Sequence, residues 1–356
     1  TNPVTSPPCR SLVARPPWPR PWFLQQPARG TGPYLISCAV RLRGPLDVDV
    51  LATAVQDLAT RHDALRMGLS TTDDGRPAVT VADTVTVPWT VLAAADAAAA
   101  HDLLAAEARV PFDLTVAPLL RATLVRIDAT DHVLHLLMPH IVSDGWSTAL
   151  LLDDLAAGYA ATLAARPAPV PPAVRYADFA AWQAERLRGP VGARDLAYWR
   201  DALAGTPPLE LPTDRPRPAQ QRHHGSGHAV RLAPELTGAL RAVGDEHGAT
   251  LFVTLLAGVN ALLARYSGAE DFAVGTPVAG RVRPDLEPVV GLFTNTLAVR
   301  ADLGGDPTFA TLVARTRERV LDALAHQETP FERLVQELGV VRDVSRAPVF
   351  QVMFAL

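Results

Sequence analysis

Residues 166–175 read RPAPVPPAVR, with four prolines in ten positions. Proline fixes φ and has no amide hydrogen, so neither a helix nor an inner strand runs through such a stretch. It forms a stiff, extended connector. Each side of it must bury its own apolar surface. The chain has 356 residues, 48% of them hydrophobic, which is enough for two ordinary cores. We therefore place an N-terminal lobe over 22–166, the connector over 167–175 and a C-terminal lobe over 176–356. Residues 1–21 stand apart. The first twenty hold six prolines and show no helix or strand period.

Apolar periodicity predicts the elements of each half. In the first, YLISCAVRLRG alternates like a half-buried strand, and PLDVDVLATAVQDLATRH carries a helical stripe with Asp47 near its start. ALRMGLS and AVTVADTVTV read as strands, and AAADAAAAHDLLAAEARV as a helix. LLRATLVRI and HVLHLLMPH form an antiparallel hairpin around Asp128–Asp131. STALLLDDLAAGYAATLAA is an amphipathic helix, with Leu151, Leu155, Tyr159 and Leu163 at i, i+4 spacing. The second half predicts helices near 178–204, 233–246, 250–266 and 307–326, with strands at DFAVGTPV and TNTLAVRADL. It ends on APVFQVMFAL, read as a buried strand, and the second lobe is expected to be truncated there. Mostly antiparallel strands with long helices predict an α+β fold rather than a doubly wound sheet.

Composition removes several functions. The formal charge is −4, from 33 Lys and Arg against 37 Asp and Glu, so bulk electrostatics favour neither nucleic acid nor a membrane surface. Cys9 and Cys38 make no CxxC, which suits a reducing compartment. No apolar run is long enough to span a bilayer, and the first residues lack a signal-like apolar stretch. A soluble, cytoplasmic-type protein is expected. GxGxxG and GxxxxGK[ST] are both lacking, which gives no support for a bound nucleotide.

The chemistry concentrates in MPHIVSDGWST, residues 138–148. His140 ends a predicted strand, which would deliver its imidazole to a cleft on a rigid support. Asp144 suits the cap of the following helix, Gly145 permits close approach of a ligand to backbone, and the helix N-terminus favours developing negative charge. Taken alone, H-x-x-x-D-G is a weak motif. No nucleophile pattern such as GxSxG accompanies it. His132 shares a strand face with His140 and His135 does not, so no metal cluster is expected.

The rest of the chain gives the motif its weight. MPHIVSDGWS resembles the HHxxxDG motif of condensation domains of non-ribosomal peptide synthetases. RHDALRMGL (61–69), YADFAAWQ (176–183), VGLFTNTLAVR (290–300), HQETPFERLV (326–335) and RDVSRAPVFQVMF (342–354) resemble further segments of that family, in its order. The resemblance runs from about residue 22 onward. It implies two chloramphenicol acetyltransferase-like lobes in a V, with the active-site tunnel between them. It implies an acyltransferase-type enzyme, in which the amine of a carrier-bound aminoacyl acceptor attacks a carrier-bound acyl or peptidyl thioester donor and forms an amide. Its partners would be upstream and downstream peptidyl carrier domains and an adenylation domain. No cofactor or metal of its own is expected, because the substrates ride on the carriers' phosphopantetheine. Two alternatives stay open: a related acyltransferase or epimerisation domain of the same fold, and an impaired remnant or carrier-docking domain without chemistry.

By this resemblance His140 is the catalytic histidine. Asp144 is a structural aspartate paired with an arginine, for which Arg61 and Arg66 are the candidates. Gly145 and Trp146 lie near the substrate. Asn295 either faces the tunnel or caps a turn. Trp182 is expected in the core, and His223 and His224 at the surface. The chain departs from the family in two respects besides its end. Pro139 replaces the first motif histidine, a residue associated with support of the site. The family's first motif, Ser-x-x-Gln followed by Trp, survives only as a tail in PWFLQQ. PCRSL can be encoded by codons that, read two bases later, give Val-Ser-Phe-Ala, so residues up to about Arg20 are expected to come from a displaced frame. The nucleotide sequence tests this.

Overall fold

The structure, a computed structural model, describes residues 34–71, 77–219, 225–340 and 343–356. The segment expected to be frame-displaced, Cys9, PWFLQQ, His223 and His224 lie outside these. The chain forms two compact units. One comprises residues up to Glu185 together with Arg281–Phe293; the other comprises Arg186–Gly280 and Thr294–Leu356.

The first unit is built on strands β1 (Leu35–Arg43), β4 (Trp89–Ala93), β5 (Arg121–Arg126) and β6 (Asp131–Pro139), which form a four-stranded sheet of order β1-β6-β5-β4. The predicted hairpin of β5 and β6 is present, and β6 also pairs antiparallel with all nine residues of β1. Strand alternation sends Leu124, Leu134, Leu136 and Met138 to one face. There they meet helix α1 (Val48–Arg61) and helix α3 (Gly145–Leu163), whose apolar stripes include Leu51, Val55 and Leu58, and Leu151 and Leu155. Asp47 caps α1 by accepting from Asp49 N and Val50 N at 3.1 and 3.0 Å. Val125, on the opposite face, packs with Ala100 and Leu104 of α2 (Ala97–Glu107).

Two local expectations fail here. AVTVADTVTV is not one strand: β3 (Pro77–Val81) stops early and pairs only with β2 (Met67–Thr71). Trp89–Ala93 makes an unforeseen strand that joins β5 in parallel.

The division between units also differs from the expected one. Helix α4 (Tyr176–Arg188) follows the connector, yet most of it packs into the first unit. Both oxygens of Asp63 accept from its first turn, from Tyr176 N at 3.0 Å and Ala177 N at 3.1 Å. Phe179 lies 4.5 Å from the Phe293 ring. These contacts hold both α4 and the 281–293 segment to the first core, whereas the sequence predicts a C-terminal lobe that begins at 176 and contains both.

In the second unit, Gly189 and Pro190 break the expected 178–204 helix, so α5 (Pro190–Ala202) is separate. Helices α6 (Pro234–Glu246), α7 (Leu251–Ser267), α8 (Phe309–Ala325) and α9 (Phe331–Glu337) follow. Strands β7 (Asp271–Val278) and β8 (Asn295–Asp302) pair antiparallel, and their core includes Leu256, Phe272, Val274, Leu297 and Val313. The expected terminal strand does not form. Pro348 has no amide hydrogen and Val349 takes φ 68°, so the segment touches β7 through a single bridge at Gly275. Phe350 is buried there, while Met353 and Leu356 are exposed. Among the described residues no single helix is long and apolar enough to cross a membrane.

Candidate active site

Strand β6 carries the chain into the site. Its last residue, Pro139, stands opposite Leu35 and two positions beyond Leu137, the last β6 residue with a partner on β5. A missing amide hydrogen interrupts no β5 pairing there. Its φ of −65° is the value that the ring prefers. A short 3-10 turn, His140–Val142, follows and is closed by Ser143 N–H on His140 O at 3.3 Å. His140 therefore sits one step past the strand rather than on it.

Helix α3 starts where it does because Asp144 caps it. One carboxylate oxygen accepts from Ser147 N at 2.8 Å. The other accepts from Phe293 N at 3.0 Å and from Arg281 Nη1 at 3.0 Å. The Asp144 and Arg281 side chains are 0% and 2% exposed. Burial pushes the Asp144 carboxyl up, but the hydrogen bonds and charge of Arg281 and the Ser147 donors outweigh it. The group stays below the usual carboxylate range.

Ser147 adds a second tie. Its hydroxyl donates to Gly291 O at 2.8 Å and accepts from Gly291 N at 3.1 Å and Arg281 Nη2 at 2.8 Å. Arg281 also donates to Val289 O at 3.0 Å, and its guanidinium lies 4.2 Å from the centre of the Phe293 ring. Gly291 must be glycine, since a Cβ there would stand 2.1 Å from the Tyr176 ring. The first turn of α3 and the 281–293 segment are thus locked together by a buried polar cluster.

The arginine candidates read from sequence are corrected by this geometry. Arg61 donates to Asp154 at 2.9 Å and to Pro169 O at 2.7 Å, pinning the proline-rich connector. Arg66 donates to the carbonyls of Ala59, Ala82 and Asp83. Arg281, 137 positions from Asp144, is the partner that sequence reasoning missed. No local spacing announces a contact at that range. Ser147 had a weak signal, since it stands three residues after a capping aspartate, where a first-turn side chain faces the cap.

The remaining residues divide. Gly145 is exposed, has no positive φ, and a Cβ built on it would meet no heavy atom within 4 Å. Trp146 is 46% exposed and donates its indole N–H to Glu287 O at 3.0 Å. Trp182 is half-buried against the Phe179 ring. Asn295, in the second unit, gives its amide hydrogens to Gln327 O and Thr329 O at 2.8 and 2.7 Å and accepts from Phe331 N at 3.0 Å. It clamps a loop through these three backbone contacts.

His140 is half-buried, and among the described residues its Nδ1 is buried without a hydrogen-bond partner. Such an orphan costs about 1–3 kcal/mol where it only serves the fold. His132 Nδ1, at the far end of β6, shares this condition. His135 is committed instead: its Nε2 lies 2.7 Å from Ser37 Oγ. A half-buried imidazole outside the polar cluster, beside a helix N-terminus and an open glycine, suits proton handling next to a developing oxyanion.

The condensation-domain family matches residues 14–356. One of the linear gramicidin synthase proteins of Brevibacillus parabrevis is 44% identical over 350 residues, which cover 95% of this chain and 7% of that protein. The chain thus spans a small fraction of that relative. The X-domain from teicoplanin biosynthesis, solved in complex with OxyB, superposes with TM-score 0.87 and 34% identity, over 98% of this chain and 78% of that one. The first condensation domain of the calcium-dependent antibiotic synthetase, in complex with a substrate analogue, superposes with TM-score 0.72 and 26% identity, over 94% of this chain and 78% of that one. The α+β, chloramphenicol acetyltransferase-like fold expected from the motifs is the fold of these neighbours.

Proposed function

The chain belongs to the condensation-domain family of non-ribosomal peptide synthetases, and from that premise we propose that it forms an amide between two carrier-bound substrates. The donor is an acyl or peptidyl thioester and the acceptor an aminoacyl thioester. Each arrives on the phosphopantetheine of a carrier domain in the same assembly line, together with an adenylation domain. The observation that carries this reading is His140: it stands just before a buried polar cluster built on Asp144, Ser147 and Arg281, and its Nδ1 takes no part in it.

The chemistry asks little of the protein besides placement and one proton. The acceptor amine must be neutral, because an ammonium has no lone pair. Its nitrogen forms a bond to the thioester carbonyl carbon, the carbonyl π electrons move onto oxygen, and their return expels the sulfur. The amine proton passes to His140 and then to the departing thiolate, leaving an amide and a free thiol. A placed base is worth ~10²–10⁴ in rate. Alignment of the two reactants is worth about 7–11 kcal/mol, so orientation is the larger contribution. Gly145 serves it by leaving the helix N-terminus uncovered.

A second reading, a docking domain without chemistry, draws on Pro139 and on the likeness to an X-domain solved in complex with OxyB. One assay separates them. Loaded donor and acceptor carriers are mixed with the protein, and the dipeptidyl thioester is followed by mass spectrometry. We expect product, a loss of ~10²–10⁴ in rate for His140→Ala, and folding unchanged. Carrier binding without product from the wild-type chain refutes amide formation and leaves docking. Activity gained only in Pro139→His identifies the proline as the lesion.

A further inference from the structure

Trp146 is an anomaly within its turn. Ser143, Asp144 and Ser147 are each fully buried, yet the largest side chain among them is 46% exposed. It is not loose. The indole N–H is fixed on Glu287 O, and the Arg281 guanidinium lies 5.5 Å from the ring centre. Arg281 is itself immobilised by Asp144 and Ser147. The aromatic face is therefore ordered before anything binds, so contact with it costs little further entropy. A rigid, partly exposed tryptophan is the kind of side chain that dominates recognition energetics.

Its neighbour Gly145 supplies the complement. Neither its backbone conformation nor any surrounding atom requires a glycine, yet the position is open. A fixed aromatic face thus follows directly on an exposed, uncrowded position at the start of α3, just past the 3-10 turn that begins with His140.

We propose that this face, with the open space at Gly145, receives the apolar side chain of a thioester-bound aminoacyl group, making Trp146 a specificity-determining residue. The proposal rests on the reading that His140 acts on such a thioester. The side chain belongs to either the donor or the acceptor, and the experiment assigns it. Phenylalanyl and alanyl groups are varied separately on donor and acceptor carriers, and the kcat/KM ratio of phenylalanyl to alanyl is measured for each. Trp146→Ala is expected to lower that ratio about tenfold or more on one side only, and Trp146→Phe to keep most of it. Gly145→Ala, which meets no steric obstacle in the protein, is expected to lower the same ratio by filling the open space.

A parallel measurement needs no turnover. Non-reactive thioether analogues of phenylalanyl- and alanyl-pantetheine are titrated, and tryptophan fluorescence of the wild type is compared with that of Trp146→Phe. The phenylalanyl analogue is expected to bind more tightly to the wild type, and Trp146→Ala to erase the difference. Ratios unchanged in both Trp146→Ala and Gly145→Ala overturn the proposal. If discrimination in binding persists while no carrier pair yields product, the proposal stands and amide formation fails.

Discussion

The first unit holds MPHIVSDGWST and the second holds HQETPFERLV, and each motif places a histidine beside a buried aspartate. They use it in opposite ways. In the second unit His326 Nδ1 lies 2.9 Å from Asp195, its ring stacks on Tyr198 at 4.0 Å, and its carbonyl accepts from Trp199 Nε1 at 2.9 Å. Asn295 holds the loop that follows through three backbone contacts. In the first unit the aspartate is held by Arg281, Ser147 and Phe293, and the histidine is left outside. His326, bonded through a ring nitrogen and its carbonyl and stacked on Tyr198, is part of the brace. His140 Nδ1 has no hydrogen-bond partner among the described residues, so its ring is not tied into the brace beside it. On the function proposed above, the contrast separates a structural motif from a reactive one.

The largest effect should come from breaking the brace of the first unit. Arg281→Ala leaves Asp144 buried without its cation and is expected to cost about 3–5 kcal/mol in urea unfolding. A loss below about 1 kcal/mol would mean that the turn stands without the pair, and the contrast would fall. Next comes Gly291→Ala. Its methyl cannot coexist with the Tyr176 ring in place, and the displaced backbone carries both atoms bonded to Ser147. We expect about 3 kcal/mol, the upper part of the range for overpacking, with Gly291→Ala and Ser147→Ala less than additive in a double-mutant cycle.

Part of this was legible in the sequence. Short-range features came through: the Asp47 and Asp144 caps and the β5–β6 hairpin all follow from residues close in sequence. Arg281 did not, because charge pairing across 137 residues depends on how the 281–293 segment returns to the first core. That return is set by Tyr176, Phe179 and Phe293 packing together, which no periodicity encodes. β4 was missed for a related reason. It lies at the sheet edge, with Thr90 and Val91 exposed, so it lacks the apolar alternation that marks a strand.

Asn295→Ala tests the structural motif and sharpens the contrast from the other side. It orphans two carbonyls and one amide hydrogen in a loop of the second unit, for an expected cost of about 2 kcal/mol. Turnover per folded molecule is expected to stay within about twofold, because nothing in the clamp touches a reacting atom. A drop approaching that of His140→Ala, measured with the same carriers and corrected for the folded fraction, would move Asn295 back toward the substrate.

The smallest effect concerns a second polar node of the first unit, where Asp154 accepts from Arg61 at 2.9 Å and lies 2.8 Å from His62 Nε2. Burial pushes the Asp154 carboxyl up, but the His62 and Arg61 hydrogen bonds and charges prevail and leave it lowered. A carboxylate with a lowered folded pKa contributes stability above its unfolded value, near 3.9, and loses it as pH falls through the folded value. Asp154→Asn should therefore be less stable than the wild type at pH 7, with the two curves converging below about pH 4. Parallel curves down to pH 2 would show that the node contributes no ionic stabilisation. Because Arg61 also holds Pro169 O, the same variant is expected to loosen the connector. Faster amide exchange at residues flanking the prolines of 167–175 would report that, while exchange along β6 should not change.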